Sequence, residues 1–277
     1  MIRPHMISII ISTYNRPDAL GLVLLALAEQ DAKNFEVIVA DDGSTDETKQ
    51  VIESVAAKVA YNIGHVWHPH NDFRAAMIRN KSVAVAQGDY LIFLDGDSIP
   101  LTSFVRRHQD LAENNCFVVG NRVLLSASFT KDVLLRQLPL QRWSMWHWFK
   151  NFCCGNINRF LPVLPLGSFC LRHLRHTRWQ GAKTCNLGMW KKDFVAVNGF
   201  DESYSGWGYE DSDLVIRLIH NKVLRKDGHF VVPVFHLWHP ANSRNREQAN
   251  YQKLKEIESS DSIKAVPGVD QYIKKYE

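Results

Sequence analysis

The chain has 277 residues and a mass of 31.8 kDa, 45% hydrophobic and 22% charged, long enough for one large domain or two small ones around a continuous core. That excludes wholesale disorder, and 15 glycines with 10 prolines exclude a collagenous or low-complexity chain. Formal net charge is only +4, yet residues 131–182 hold Lys131, Arg136, Arg142, Lys150, Arg159, Arg172, Arg175 and Arg178 against Asp132 alone. So local a surplus favours an anionic partner over general solubility.

In chain order, Met6 to Ser12 is a β-branched, almost wholly apolar run, as expected of a strand covered on both faces. Residues 17–29 follow with helical apolar spacing. Phe35 to Ala40 reads as a second buried strand ending at Asp41-Asp42-Gly43-Ser44, where Ser44 and Glu47 have capping-box spacing for a helix through Lys58. Tyr61–Trp67 and Asp89–Leu94 read as strands around a helix at 74–86; a further helix begins at Thr102 and a strand spans Cys116–Val119. This rhythm predicts an α/β fold, a mostly parallel central sheet flanked by helices, with ligands at the carboxyl ends of its strands. Residues 130–182 lose clear period and read as a partly helical insert. A second structured block runs from Gly181 to His239, and Arg246–Ser260 reads as a solvated, all-polar helix before a loose end.

The five cysteines, at 116, 153, 154, 170 and 185, form no CxxC pair and lack the density of a disulfide scaffold. Met1 to Met6 has neither the apolar stretch nor the cleavage site of a secretory leader, and no run of about 18 apolar residues is present. A cytoplasmic location is the expectation.

Three polar strand ends carry candidate chemistry. Asp95-Gly96-Asp97 closes a buried strand, and paired carboxylates there suit a hard divalent cation shared with phosphate oxygens; the alternative is an Asp-Gly turn. His236 and His239, after the run Phe230–Phe235, sit three apart and could face one ion, or simply pack among aromatics. Glu210, Asp211 and Asp213 open an apolar-faced helix, where the dipole favours ionised carboxylates, whether for capping or as a proton acceptor from a sugar hydroxyl. Asp42 could serve a capping loop or hydrogen-bond a nucleobase or ribose.

Taken together, Ser12-Thr13-Tyr14-Asn15-Arg16, Asp41 to Asp46, Arg79-Asn80 and Phe93 to Asp97 resemble the nucleotide-sugar half of family-2 glycosyltransferases of GT-A fold. Gly181 to Asn186, Val197 to Glu202, Gly206 to Asp211 and the His236/His239 pair resemble the carboxyl-terminal half of galactosyl- and N-acetylgalactosaminyltransferases. The resemblance implies Asp97, His239 and His236 as ligands of Mn²⁺ or Mg²⁺ on a UDP-sugar diphosphate, with Asp95 in support. It implies Asp42 with the Thr13-Tyr14 backbone around the uracil, and Arg16 and Arg79 near the pyrophosphate. Asp211 is implied as catalytic base, Glu210 as a sugar-hydroxyl contact and Trp207 as the platform beside the acceptor. The activity it implies is inverting transfer of a hexose or N-acetylhexosamine to a glycan or lipid-linked acceptor, in bacterial surface polysaccharide or lipopolysaccharide synthesis.

On this reading residues 1–125 bind the nucleotide-sugar, 126–182 form the basic aromatic insert, 183–245 the catalytic and acceptor half, and 246–277 a helical tail. Trp143, Trp146, Trp148 and Trp179 lie among the insert's arginines, a mixture that suits an anionic membrane surface, an acceptor cleft or plain packing. No nucleic-acid-binding module is recognisable, and none is expected as a partner. Two alternatives remain: a sugar nucleotidyltransferase, disfavoured because no glycine-rich basic loop follows the first strand, and a catalytically silent glycan- or membrane-binding module.

Overall fold

The computed structural model describes residues 3–164, 170–240 and 243–273; part of the insert, residues 165–169, lies outside this set. The chain runs β1 (Ile7–Thr13), α1 (Pro17–Ala28), β2 (Phe35–Asp41), α2 (Asp46–Ala56), β3 (Asn62–Trp67), α3 (Ala75–Val85), β4 (Tyr90–Asp95), β5 (Ser98–Pro100) and α4 (Phe104–Leu111). It continues through β6 (Cys116–Val119), β7 (Asn121–Leu124), α5 (Ala127–Arg136), α6 (Met145–Cys153), β8 (Asn186–Trp190), α7 (Lys191–Ala196) and α8 (Glu210–His220). Last come β9 (Leu224–Asp227), β10 (Pro233–His236), α9 (Glu247–Ser259) and α10 (Asp270–Ile273).

Seven strands form the main sheet in the order β3-β2-β1-β4-β8-β6-β9. Neighbours are parallel from β3 through β4 and again between β6 and β9, whereas β8 runs antiparallel to both β4 and β6. The isoleucine run of β1 follows from burial on both faces. Ile7, Ile9 and Ile11 pack with Leu20, Val23 and Leu27 of α1, while Ile10 packs with Ala76 and Ile78 of α3. A smaller sheet, β5-β10-β7, stands beside the main one. There Phe235 pairs with Ile99 and Val123, all three in the core, and His236 pairs with Ser98 and Leu124. Side chains alternate across a strand, so the core residues of β10 fix which way His236 faces.

Three local expectations are corrected. Thr45, not Ser44, precedes α2, because the Ser44 hydroxyl is taken by the backbone N–H of Asn15 (2.8 Å). The strand expected over Phe230–Phe235 is confined to Pro233–His236, since Phe230 turns through φ 64. The carboxyl-terminal helix is not solvated all round: Asn250 and Leu254 of α9 are buried, α9 packs on α8, and Val269 enters the core under α3. The insert is helical in part, as expected, through α5 and α6. Its basic and aromatic residues divide by burial: Trp148 is core, Arg142 pairs with Glu29 (2.6 Å), and Arg172 donates to the Asp227 carbonyl (2.8 Å). Among the described residues no helix is long and apolar enough to cross a membrane. Cys116, Cys153, Cys154 and Cys185 are free thiols.

His108 of α4 lies in the core, its ring edge-on to Phe104 at 4.6 Å and its Nε2 bonded to Asn186 Oδ1 at 3.2 Å. Burial pushes its pKa down to about 4. The folded state therefore refuses a proton that the unfolded chain accepts below its ordinary value near 6.5. Its cost is absent above that value and grows as pH falls to about 4, reaching on the order of 3 kcal/mol. Urea midpoints between pH 4 and 7 should fall more steeply for the wild type than for His108→Gln, which keeps a polar partner for Asn186 without a titrating ring.

Candidate active site

The carboxyl ends of β1, β2 and β4 open onto one cleft of about 820 Å³, within the size range of small-molecule sites. Thr13, Tyr14, Arg16, Asp42, Arg79, Asp95, Asp97, Trp207, Glu210, Asp211, His236 and His239 all line it. The structure thus brings every expected site residue to a single cavity, from stretches as far apart as residues 13 and 239.

At its centre lies Asp97, just past β4. His236 Nδ1 stands 2.9 Å from its Oδ1, and His239 Nε2 stands 3.4 Å from its Oδ2. One potential ligand atom from each of the three residues lies within 4.8 Å of the other two. Two imidazole nitrogens with a carboxylate oxygen form a mixed N/O set that suits Mn²⁺ better than oxygen-seeking Mg²⁺. Burial pushes the Asp97 carboxyl up, but the hydrogen bond and charge of His236, together with His239, outweigh it and hold the group below the usual carboxylate range. Asp95 shifts the other way, because burial and the Asp97 charge both favour its protonated form while Arg79 opposes them.

Backbone packing explains the Asp-Gly-Asp sequence. Gly96 N–H donates to the Ser12 carbonyl (2.8 Å), and a Cβ there would sit 3.1 Å from that oxygen and 3.2 Å from the Thr13 side chain. Glycine lets the end of β4 lie against the end of β1. Leu237 N–H donates to the Asp97 carbonyl (2.9 Å), so backbone as well as side chains join this turn to the histidine segment.

The two aspartates at the end of β2 have separate jobs. Asp41 is buried beneath the turn, with Oδ1 accepting from Ser44 N–H (2.8 Å) and Oδ2 3.0 Å from His65 Nε2. Burial pushes its carboxyl up, yet the bonds from His65 and Ser44 prevail and keep it below the usual range. Asp42 faces the cleft. Its Oδ2 accepts from Arg74 N–H (2.9 Å) and its Oδ1 from His68 Nε2 (2.6 Å). Lys81 Nζ approaches His68 Nδ1 (3.3 Å), and an ammonium can only donate, so the His68 proton lies on Nε2 and points at Asp42. Tyr14 stacks on His70 with centroids 4.5 Å apart. Thr13 Oγ1 is buried and makes no hydrogen bond among the described residues; an orphaned hydroxyl in this wall is a fitting contact for a polar ligand.

Arg79 of α3 spans the cleft floor. Its Nε donates to Ser12 Oγ (2.8 Å), its Nη1 to Glu210 Oε1 (3.2 Å), and its Nη2 lies 3.9 Å from Asp95 Oδ1. Its neighbour Asn80 bonds both the N–H and the carbonyl of Phe200 and the Glu202 carboxylate. Two sequence motifs 120 residues apart are thereby one structural joint.

Glu210 and Asp211 open α8, which Asp213 and Arg217 anchor from beneath: Arg217 donates twice to Asp213 Oδ1 (2.8 and 2.6 Å) and once to the Val197 carbonyl (2.7 Å). Burial and the Asp211 charge push Glu210 up to about 7, with Arg79 opposing. Asp211, half-buried, faces the cleft with Oδ1 accepting from Ser212 N–H (3.0 Å). Arg244 lies over the Trp207 ring at 5.0 Å, at the edge of the cavity.

Sequence reasoning missed four contributors. His68 carries no motif of its own. Arg122 lies within β7, three residues past the end of β6, and lines the cleft from there. Arg244 and Trp238 flank the histidines without a readable pattern.

The family model for glycosyl transferase family 2 matches residues 8–176, and that for the N-terminal domain of galactosyltransferase matches residues 171–230. The chain belongs to glycosyl transferase family 2. It is 30% identical over 228 residues to validoxylamine A glucosyltransferase of Streptomyces hygroscopicus, covering 77% of this chain and 51% of that protein. It is 24% identical to chondroitin synthase of Escherichia coli over 98% of this chain and 42% of that one. The chain therefore spans about half the length of these curated relatives. Staphylococcus aureus TarS residues 1–349, solved with UDP, superposes with a TM-score of 0.61 at 14% identity, over 98% of this chain and 70% of that one. Mannosyltransferase PcManGT of Pyrobaculum calidifontis, solved with GDP-Man and Mn²⁺, superposes with a TM-score of 0.59 at 12% identity, over 99% and 75%. The fold is GT-A.

For this family-2 chain the Asp97, His236 and His239 cluster makes a direct test available. Wild-type protein with UDP should quench the free Mn²⁺ signal in electron paramagnetic resonance titrations. Asp97→Ala and His239→Ala should each weaken Mn²⁺ binding by about a hundredfold or more, the upper end of what losing a mere supporting residue does.

Proposed function

We propose that this chain is a metal-dependent inverting glycosyltransferase that moves a hexose or N-acetylhexosamine from a UDP-sugar to a hydroxyl of a glycan or lipid-linked saccharide. The reading rests above all on one observation: the carboxylate and two imidazoles that can share a cation lie in the same cleft as the half-buried Asp211. Structures of TarS with UDP and UDP-GlcNAc, and of PcManGT with GDP-Man and Mn²⁺, support a nucleotide-sugar donor and a metal.

Residues 1–125 supply the donor wall. Asp42, fixed by His68 and Arg74, and Thr13 with Tyr14 hold the uracil and ribose end. Arg16 faces the diphosphate, whereas Arg79, with its nitrogens turned to Ser12, Glu210 and Asp95, acts mainly by holding these groups in place. Asp97, His236 and His239 would hold the cation, which would offset the negative charge of the departing diphosphate.

The second half, 183–245, supplies the chemistry. Asp211 accepts the proton of the acceptor hydroxyl as that oxygen bonds to the anomeric carbon; the bond from this carbon to the diphosphate breaks and UDP leaves with its electron pair. A single displacement inverts configuration. Glu210, pinned beneath by Arg79, contacts the sugar hydroxyls, and Trp207 offers its ring to the acceptor. The cellular setting that fits is assembly of a bacterial surface polysaccharide or lipopolysaccharide on the inner face of the cytoplasmic membrane.

Incubation with a panel of UDP-sugars, Mn²⁺ and saccharide acceptors should release UDP, and chelation should abolish release. Asp211→Asn should keep UDP-sugar affinity within a factor of about three but cut transfer by at least about a hundredfold. Normal turnover by Asp211→Asn would remove the base assignment.

A further inference from the structure

Helix α6 is built inside out relative to an ordinary surface helix. Its one buried large ring, Trp148, stacks face to face on Phe235 at 3.7 Å with 4° between the planes. Three other aromatics face solvent: Trp146 is 78% exposed, Phe149 44% and Phe152 42%. They form a contiguous cluster. Phe149 meets Trp146 at 6.1 Å and Phe160 at 5.5 Å, and Phe152 meets Phe160 at 6.2 Å. Next along the chain Leu161 is 63% exposed. Soluble proteins seldom leave so many large apolar side chains adjoining in water unless something covers them.

The charges along this segment are of one sign. Lys150 lies within α6 between the rings, and Arg159 directly precedes Phe160; both are exposed. Lys131 and Arg136 of the preceding helix are exposed as well, and Asp132 is the one acid between residues 127 and 164. Rings that prefer the boundary between water and hydrocarbon, interspersed with cations, match an anionic lipid headgroup layer, in which the rings sink and the cations meet phosphates. A second copy of this chain fits worse, because a self-interface would bring Lys150 and Arg159 against their own counterparts.

We propose that the α6 face, Trp146, Phe149, Phe152, Phe160 and Leu161 with Lys150 and Arg159, docks the protein peripherally on an anionic bilayer. The face is joined to the cleft by a short rigid path: Trp148 lies on Phe235, and the next residue is His236. Docking through α6 thus fixes the orientation of the cleft to the lipid surface. The proposal deepens the reading of a lipid-linked acceptor given above, yet lipid binding itself requires no catalysis.

The test is sedimentation of the whole chain with vesicles of phosphatidylcholine alone or with about 30% phosphatidylglycerol. Binding is expected with the anionic vesicles only, and is expected to weaken in high salt. The double variants Trp146→Ser/Phe149→Ser and Lys150→Glu/Arg159→Glu should each lower the partition coefficient about tenfold or more. Both should keep the wild-type melting temperature and the wild-type rate of UDP release in the absence of vesicles. Equal sedimentation with and without anionic lipid, or unchanged partitioning of both variants, would overturn the proposal. So would dimers in light scattering that Trp146→Ser/Phe149→Ser dissolves, since these would assign the face to a second copy. Lipid binding without UDP release would instead leave docking standing and remove the transferase reading.

Discussion

A single guanidinium holds the cleft together. Arg79, 4% exposed, reaches Ser12 at the end of β1, Asp95 at the end of β4 and Glu210 at the start of α8. Without that cation the half-buried Asp95 and the buried Glu210 would stand uncompensated beside Asp97 and Asp211, an arrangement that low-dielectric surroundings penalise heavily. Both groups are shifted upward even with Arg79 in place, first by burial and then by the neighbouring Asp97 and Asp211 charges. Such a concentration of carboxylates is costly in an isolated fold and useful where a cation and a basic reaction step are needed.

The same constraint explains why the two halves of the chain cannot be rearranged independently. The parallel β1–β4 region delivers Asp97, whereas α8 and β10 deliver Asp211 and His236 from the later half. Three links keep these in register: Arg79 to Glu210, Asn80 to Phe200 and Glu202, and the antiparallel pairing of β5 with β10. In the last of these His236 lies opposite Ser98, the residue after Asp97, so strand pairing itself sets the imidazole against the carboxylate.

Much of this was legible in the sequence because it is written locally. Unbroken apolar runs mark doubly covered strands, and polar clusters at their ends mark the cleft; Asp97 and the histidine pair stand at such ends, and Asp211 stands in the first turn of an apolar-faced helix. What was not legible depends on long-range partners. Nothing near Asp41 says that His65 will claim it and leave Asp42 to face the cleft. Nothing near Arg79 says that its three nitrogen positions will be met by protein groups. The polar periodicity of α9 hides Asn250, whose side chain donates to the Ser205 carbonyl (3.2 Å) and so helps hold the loop before α8.

The insert shows why composition alone misleads. Its tryptophans and basic residues look equivalent in the sequence, but each answers to a different force once folded. Trp148 completes the core under β10, Trp179 Nε1 donates to Glu258 (2.9 Å), and Trp143 packs between Phe129 and Trp148. Arg142 and Arg172 are engaged by Glu29 and by backbone carbonyls. Subtracting these structural residues leaves a smaller set, Trp146, Phe149 and Phe152 with Lys150 and Arg159, whose exposure the fold does not require. A packing helix would place its rings inward; α6 places one ring inward to hold itself against the small β5-β10-β7 sheet and turns the others out. That division is what separates anchoring the helix to the protein from anchoring the protein to something else.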